Sequence, residues 1–326
     1  MTRPWFIAAL IAWALLGTAA AQQTQERTYP AKPIRLIVTF PPGGSADITA
    51  RVLAARMSER LGQSVIIDNR PGAGGNIGLD LVAKAPPDGY TIGVGAAGAL
   101  AVNLSLYAKM PFDPQKDFAP VGMVAMIPFV LVANPSFPAS KLSDAVAAAK
   151  ARPGALSIAH GGNGTAMHLS AELLKQMAGI ELALVPYKGS GPAAADAAAG
   201  QLPLAIADIP ASIAFIKSGR LRALGITSAK RSVALPDVPT FAEAGVAGYE
   251  STGWFGIVAP AGTPAAVIER LNAELQAALN DPEIRQRVVA SGAEPAPGTA
   301  AEFRSLIESE IPKWAKVIQI SGARVE

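Results

Sequence analysis

Two short glycine-containing turns stand out in the chain as candidate ligand-binding segments. The first reads Phe-Pro-Pro-Gly-Gly-Ser-Ala-Asp over residues 40–47, and the second reads His-Gly-Gly-Asn-Gly-Thr-Ala over residues 160–166. Each follows an apolar run typical of a β-strand and precedes a helical pattern. Such a turn directs unpaired backbone N–H groups and the positive end of the helix dipole at one point, which favours an anion. Because the turns lie in different halves of the chain, they predict a small anion bound between two lobes.

The polar side chains in and near these turns allow both a structural and a ligand-binding interpretation. Ser45 and Thr165 precede helices, so each is either a helix cap alone or a cap that also contacts the ligand. Asp47 can cap the first helix, pair with Arg51 one turn further on, or face a ligand. Asp208 follows an apolar run, where it could line a cleft at the carboxyl ends of parallel strands or cap a turn. Since neither turn contains Lys or Arg, backbone amides, helix dipoles and hydroxyls are expected to hold the anion.

The sequence offers little support for catalysis. His160 and His168 are the two histidines of the chain, and their spacing of eight residues does not match the i,i+4 metal pair of H-E-x-x-H. The absence of cysteine excludes disulfides and Cys-based metal sites. A G-x-G-x-x-G match over residues 93–98 lacks the rest of a dinucleotide-binding half, so we interpret it as close backbone packing near a cleft. The sequence predicts no catalytic residue, no metal ligand and no cofactor, although a Ser-His-Asp set could still assemble in space.

The first residues predict export from the cytoplasm. Arg3 precedes an apolar run over residues 5–16, and small residues at 19–21 suit cleavage, so residues 1–21 are interpreted as a signal peptide. The apolar run is too short to span a bilayer as a stable helix. We therefore expect a mature chain that begins near Gln22 and is periplasmic.

The length and charge of the chain bear on the number of lobes and on the class of partner. The chain has 326 residues and a formal net charge of +3, with both signs mixed along it and no basic block. This pattern argues against a nucleic-acid partner. The length is about twice that of a typical domain, which favours two lobes.

Apolar and amphipathic segments alternate along most of the chain, as expected for an α/β protein with mainly parallel sheets. Short buried strands are predicted at residues 34–40, 64–67, 90–94, 128–133, 155–159, 182–185, 204–207 and 223–227. Helices are predicted between most of these strands, and the chain ends in helices. The last helix opens with a capping-box pattern at Thr299 and Glu302, and Pro312 is expected to kink or end it.

Eight short motifs run through nearly the whole mature chain in a fixed order. They are Tyr-Pro with a further Pro at 29–33, Phe-Pro-Pro-Gly-Gly with Asp at 40–47, Asn-Arg-Pro-Gly-Ala-Gly-Gly at 69–75, Pro-Asp-Gly-Tyr-Thr at 87–91, Asp-Phe with Pro at 117–120, Val-Pro-Tyr-Lys-Gly at 185–189, Leu-Pro-Asp-Val-Pro-Thr with Glu-Ala-Gly at 235–245, and Ala-Pro-Ala-Gly-Thr-Pro at 259–264. Each is weakly specific alone. Together they resemble the Bug-type substrate-binding receptors, the extracytoplasmic receptors of tripartite tricarboxylate transporters.

The resemblance implies a type II periplasmic-binding-protein fold, with two α/β lobes, two crossover segments and a ligand cleft between the lobes. The first lobe would comprise residues 22–125 and 252–326, and the second residues 126–251. It implies a receptor, not an enzyme, that binds a small carboxylated metabolite and delivers it to membrane permease subunits. A hydrolase or transferase on a similar bilobal fold is the alternative. A monomer without a cofactor is expected.

The resemblance also assigns residues to the ligand site. The ligand-binding residues that it implies are Phe40, Gly43, Gly44, Ser45, Ala46, Asp47, Gly162, Asn163, Gly164, Thr165, Ala166 and Asp208. His160 replaces the small hydroxyl residue of many relatives, and either alters ligand choice or points away from the cleft. The glycine loop at residues 72–76 and Lys188 are interpreted as structural, and Tyr187 could be structural or contact the ligand.

The acidic candidates suggest a ligand class. If Asp47 and Asp208 both lined the cleft in ionised form, they would repel a second bare carboxylate on the ligand. This favours a small acid whose other end is neutral, hydroxylated, aromatic or cationic over a compact tricarboxylate.

Overall fold

The computed structural model describes residues 29–325, so the predicted signal peptide at residues 1–21 lies outside the described residues. The strands are β1 (Ile34–Val38), β2 (Val65–Asn69), β3 (Thr91–Ala96), β4 (Phe118–Ala133), β5 (Ser157–His160), β6 (Ala183–Pro186), β7 (Leu204–Asp208), β8 (Arg222–Ile226), β9 (Thr252–Pro260) and β10 (Glu294–Pro295). The α-helices are α1 (Ser45–Leu61), α2 (Asn76–Ala83), α3 (Asn103–Leu106), α4 (Leu142–Ala151), α5 (Ala166–Ala178), α6 (Ser190–Ala198), α7 (Ile209–Lys217), α8 (Ala265–Asn280), α9 (Pro282–Ser291) and α10 (Ala300–Ser321). Across this part of the chain, no helix combines the length and the hydropathy needed to cross a membrane.

The strands form one sheet in the order β2-β1-β3-β9-β4-β7-β5-β6, with β8 and β10 also paired to β4. Strand β1 is parallel to β2 and β3, and β5 is parallel to β6 and β7. The central strands β4 and β9 are antiparallel to each other and to their outer neighbours. The expectation of mainly parallel sheets is therefore correct within each flank and wrong for the centre.

Strand β4 joins the two flanks of the sheet. Its residues 118–128 pair with β9, and its residues 129–133 pair with β7, so the partner changes between Pro128 and Phe129. The chain forms two lobes, the first built on β1 to β3 and the second on β5 to β7. The residue limits of the lobes, 22–125 with 252–326 and 126–251, stay a prediction.

Strands β1 and β7 each lie between two neighbouring strands of the sheet and are buried. Residues Ile34, Leu36, Ile37 and Val38 of β1 are each at most 1% exposed, as expected for a parallel strand with both faces covered. Strand β7 is buried along its whole length. Because the carboxyl ends of parallel strands share an edge, the segments that follow β1 and β3 meet in the first lobe. Those that follow β5 and β7 meet in the second.

Candidate ligand-binding site

The first turn connects β1 to α1. Gly43 has a φ of +80°, which glycine adopts at little cost, and Gly44 is the extended N-cap residue of the helix. The first backbone bond of the helix runs from the Ile48 amide to the Gly44 carbonyl, at 2.9 Å. The amides of Ser45, Ala46 and Asp47 precede this bond, so they form the positive end of α1.

The second turn connects β5 to α5 and is stabilised by Thr165. The Thr165 hydroxyl donates to the Gly162 carbonyl at 2.7 Å and accepts from the His168 amide at 3.3 Å. Thr165 is therefore the helix cap that the sequence predicts. Its proton is already committed to Gly162, so the Ala166 and Met167 amides are the remaining donors of this first turn.

Both turns border a cavity between the lobes, which we call the inner cavity. Its volume is about 530 Å³, part of which is open to solvent. Its large apolar lining residues are Phe40, Ile127, Phe129, Met167, Trp254 and Phe255, and its polar side chains are Ser45, Thr165, Ser190 and Asp208. Among the described residues, no Lys, Arg or His lines it. An anion bound there would depend on backbone amides and helix dipoles.

Asp208 lies in the inner cavity wall at the end of β7 and is 2% exposed. Its carboxylate accepts from the Ser45 hydroxyl at 2.5 Å and from the Ala211 amide at 3.0 Å, so it also caps α7. Its own amide donates to the Ser190 hydroxyl at 2.9 Å. Burial raises the pKa of the Asp208 carboxyl, although the hydrogen bonds from Ser45 and Ala211 oppose this shift. The Ser45 contact joins the two lobes directly.

The structure separates the predicted site residues into two groups. Those that line the inner cavity are Phe40, Gly44, Ser45, Ala46, Thr165, Ala166 and Asp208. Those that do not are Gly43, Asp47, Gly162, Asn163 and Gly164, although the backbone of each belongs to one of the two turns. Gly164 has a φ of +80°, and an added Cβ would lie 2.3 Å from Asn103 Oδ1. A glycine is needed at this position because Asn103 of the first lobe approaches its backbone closely.

The side chain of Asp47 is engaged within the first lobe. It accepts from the Gly43 amide at 3.0 Å, from Asn69 Nδ2 at 3.0 Å and from the Arg51 guanidinium at 2.9 Å. Burial alone would raise the pKa of this carboxyl, but the hydrogen bonds from Arg51, Gly43 and Asn69 hold it below its usual range. The pairing with Arg51 that the spacing allowed is therefore present.

A second cavity, which we call the outer cavity, shares the lining residue Phe40 with the first and has a volume of about 710 Å³, including space open to solvent. Its lining comes from the loop at residues 72–75, from the second turn at 161–163, from the segment at 186–188, and from Phe40, Tyr107 and Val325. The glycine loop, Tyr187 and Lys188 thus lie together, which their positions in the sequence did not predict.

His160 points away from both cavities and is fully buried. Its Nδ1 accepts from the Gly162 amide at 3.2 Å, and its ring stacks on His168 with centroids 5.0 Å apart. Burial, and then the neighbouring His168, lower the pKa of His160 to about 3. Of the two alternatives for His160, the structure shows the one in which it points away from the cleft, and there it accepts a hydrogen bond from the second turn.

Several cavity residues were not predicted from the sequence. Ile127 and Phe129 come from β4, Trp254 and Phe255 come from β9, and Ser190 opens α6. The sequence does not distinguish the apolar cavity residues from other apolar residues of buried strands, because both follow the same pattern. The interpretation of residues 93–98 is supported, since a Cβ added to Gly98 would lie 2.3 Å from the Gly164 carbonyl oxygen.

The arrangement offers no evident catalytic or metal-binding set. Within residues 29–325, no group of three or more His, Cys, Asp and Glu side chains could hold a metal ion. The Ser45–Asp208 pair has no histidine beside it in the cavity wall. This wall therefore lacks the general base that a Ser-His-Asp set would need.

Comparison with known proteins identifies the family. A family model described as "Tripartite tricarboxylate transporter family receptor" matches residues 49–323. The chain belongs to this family. It is 43% identical to protein BugT of Bordetella pertussis over 300 residues, which cover 92% of each chain. The Bug-type resemblance seen in the motifs is therefore confirmed.

Solved structures of this family show the same architecture. Rpa4515 of R. palustris, solved with adipate, has a TM-score of 0.89 and 41% identity over 91% of this chain and 100% of that chain. MatC of Rhodopseudomonas palustris, solved with malate, has a TM-score of 0.85 and 32% identity over 89% of this chain and 100% of that chain. The two-lobed periplasmic-binding-protein fold is thus confirmed, and the family is one of periplasmic receptors, which is not an enzyme class.

Proposed function

We propose that this protein is an extracytoplasmic solute receptor that binds a small carboxylated metabolite between its lobes and delivers it to the permease of a tripartite tricarboxylate transporter. The observation that carries the proposal is that two helix N-termini, one from each lobe, border the same inner cavity. The adipate and malate bound by two relatives support a carboxylate as the ligand class.

In this proposal the ligand carboxylate accepts hydrogen bonds from the amides of Ser45, Ala46 and Asp47 in α1 and of Ala166 and Met167 in α5. Gly43, Gly44, Gly162, Asn163 and Gly164 shape the turns that present these amides. Phe40, Thr165 and Asp208 form the adjoining walls. The lobe limits, residues 22–125 with 252–326 and residues 126–251, and the export signal at residues 1–21 are part of the same proposal.

The inner cavity also suggests what the rest of the ligand is. Its lining is largely aromatic and aliphatic, so it suits an apolar body. Asp47 pairs with Arg51 and does not line this cavity, so Asp208 is the acidic side chain that the described residues place in its wall. A second carboxylate placed directly beside Asp208 would meet a buried acid without a compensating cation, which disfavours compact tricarboxylates.

The proposal is tested by identifying ligands of protein purified without refolding. Native mass spectrometry would detect a co-purified acid. A thermal-shift panel of aromatic acids, aliphatic monocarboxylates, dicarboxylates and citrate would then rank candidates, because a true ligand raises Tm with concentration. Recovery of the acid unchanged after incubation separates a receptor from a hydrolase or transferase. Failure of every carboxylate to raise Tm would contradict the proposal.

A further inference from the structure

The two turns at the inner cavity are held in place in different ways. Helix α5 begins after Thr165, whose hydroxyl accepts from the first turn of the helix. Helix α1 instead begins after Gly44, which has no side chain that could accept from its first amides. Within the first turn the Gly44 amide donates to the Pro41 carbonyl at 3.4 Å, beyond the usual range for such a bond. The backbone of the first turn therefore contributes little to its own conformation.

Asn69, the last residue of β2, supplies hydrogen bonds to this turn. Its side-chain amide nitrogen carries two protons, and it donates to the Phe40 carbonyl at 3.0 Å and to Asp47 Oδ1 at 3.0 Å. The parallel pairing of β2 with β1 places Asn69 opposite Val38, directly before the turn. Asn69 lines neither cavity. It thus links the residue that opens the turn with a residue in the first turn of α1.

Asp47 extends these hydrogen bonds to the middle of the turn. Its Oδ2 accepts from the amide of Gly43, the residue with a φ of +80°. The Arg51 guanidinium contacts both carboxylate oxygens of Asp47 at 2.9 Å and also donates to Asn69 Oδ1 at 3.3 Å. Asn69, Asp47 and Arg51 therefore form a closed set of contacts that fixes the first turn without entering the inner cavity.

We infer that Asn69 is a positioning residue for ligand binding, which holds the first turn in the conformation that presents the amides of Ser45 and Ala46 to the ligand carboxylate. The inference rests on the proposed function. Donors that are already ordered bind an anion without a further entropic cost. If the turn adopts other conformations, the apparent affinity falls in proportion to the fraction of molecules that are competent to bind.

Calorimetry with adipate, malate, hexanoate and benzoate as probes tests this inference. Asn69→Ala should weaken every probe that binds by about tenfold, the loss expected if the turn is competent in about one molecule in ten. Asn134→Ala is the matched control. Asn134 also donates to a backbone carbonyl, that of Ala197 at 2.8 Å, and accepts from the Ser136 amide at 3.0 Å, but it lines neither cavity. Its loss should lower Tm and leave the affinities unchanged.

Two further variants separate the donated hydrogen bonds from the shape of the side chain. Asn69→Asp keeps the shape but removes both protons and adds a charge beside Asp47, so it should weaken binding at pH 7.5 at least as much as Asn69→Ala. Asn69→His places a ring N–H at the same number of bonds from Cβ as the amide nitrogen, and should recover part of the affinity. A role in packing alone would leave Asn69→Asp close to the unaltered protein.

Hydrogen–deuterium exchange without ligand measures the turn directly. Peptides that contain residues 41–48 should exchange faster in Asn69→Ala than in the unaltered protein, and at an unchanged rate in Asn134→Ala. The Tm of each variant checks that it is folded, and Asn69→His supplies the comparison if Asn69→Ala does not fold.

Three results would overturn the inference. These are unchanged exchange of the turn in Asn69→Ala, full affinity in Asn69→Asp, and an equal loss of affinity in Asn69→Ala and Asn134→Ala. Failure of all four probes and of every other carboxylate to bind the unaltered protein would instead reject the proposed function. The exchange measurement would still show whether Asn69 holds the turn.

Discussion

At the scale of single residues, the hydroxyl groups of Ser45 and Thr165 each donate to another protein group. Ser45 donates to the buried Asp208 carboxylate, and Thr165 donates to a carbonyl of its own turn. Neither hydroxyl has a second proton for a ligand. In the proposed site the backbone amides are therefore the main donors to the ligand, while the hydroxyls of Ser45 and Thr165 are engaged by the protein itself.

The Ser45–Asp208 contact predicts a stability difference between two serine variants. Ser45→Ala leaves a buried carboxyl without one of its donors, which should lower the free energy of unfolding by about 1–3 kcal/mol. Ser212 is the matched control, because it is 0% exposed and its hydroxyl has no hydrogen-bond partner. Ser212→Ala should be neutral or slightly stabilising. Urea unfolding of both variants at pH 7 measures the difference, and equal losses would contradict the assignment.

His160 predicts a loss of stability in mild acid. Its pKa in the folded state is about 3, below the value of about 6.5 expected in the unfolded chain. The unfolded state therefore binds more protons between these values. The stabilisation is complete above pH 6.5 and is lost as the pH falls towards 3. Between pH 7 and 5 the free energy of unfolding should fall by about 2 kcal/mol from this residue alone.

A variant tests that assignment. In His160→Asn the side-chain oxygen can still accept from the Gly162 amide, but the titrating group is gone. Urea unfolding from pH 7 to 5 should show a flatter profile than in the unaltered protein. His168, whose pKa burial also lowers, should account for part of the remaining slope. An identical profile in both proteins would show that His160 is not the titrating group.

At the scale of elements, the last helix, α10, begins at its capping box. Thr299 caps α10 by accepting from the Glu302 amide at 3.1 Å, and the Glu302 carboxylate accepts from the Thr299 amide at 2.7 Å. The predicted capping box is therefore confirmed. The expectation that Pro312 could end this helix is wrong, because α10 continues to Ser321. Buried side chains on both sides of the proline, including Ile307 and Trp314, hold it against the core.

The capping box predicts a modest and local stability effect. Thr299→Ala should lower the free energy of unfolding by about 1 kcal/mol, because the Glu302 amide loses its acceptor. Thr299→Ser keeps the hydroxyl and should cost less. Thermal and urea unfolding of the two variants measure the difference. Ligand affinity should stay unchanged in both, since the residue lines neither cavity.

At the scale of the whole molecule, the lobes meet through backbone as well as side chains. Gly98 follows β3 in the first lobe, and an added Cβ there would lie 2.3 Å from the Gly164 carbonyl oxygen and 3.2 Å from Thr165 Cα. Both atoms belong to the second turn. The two lobes are therefore in contact at this point, and the contact depends on the absence of a side chain at residue 98.

Gly98→Ala should consequently hinder closure without unfolding either lobe. Overpacking of this kind costs about 1–3 kcal/mol, and ligand affinity should fall by a corresponding factor. Small-angle scattering should show contraction on ligand binding in the unaltered protein and less contraction in the variant. Gly298→Ala is the control, because its added Cβ would meet only the side chain of Glu302, with Oε2 at 3.2 Å and Cβ at 4.0 Å. Full contraction of Gly98→Ala with unchanged affinity would contradict the role of this contact.

The sequence by itself determined the features that depend on neighbouring residues. The two glycine turns, the Thr165 cap, the capping box at Thr299 and the α/β alternation all follow from residues a few positions apart, whose backbone preferences act locally. The family resemblance, carried by motifs in order, also needed no coordinates. These features were sufficient to predict two lobes and an anion between them.

The tertiary structure decided everything that depends on strand order and packing. Ser45 and Asp208 are 163 residues apart and meet only because the segments that follow β1 and β7 face each other across the two lobes. The antiparallel course of β4 and β9 brings Phe129 and Trp254 into the inner cavity wall. Asp47 contacts Arg51 and Asn69 and does not line that cavity. Contacts of this kind depend on which apolar surfaces are buried together, and no local pattern in the chain encodes that choice.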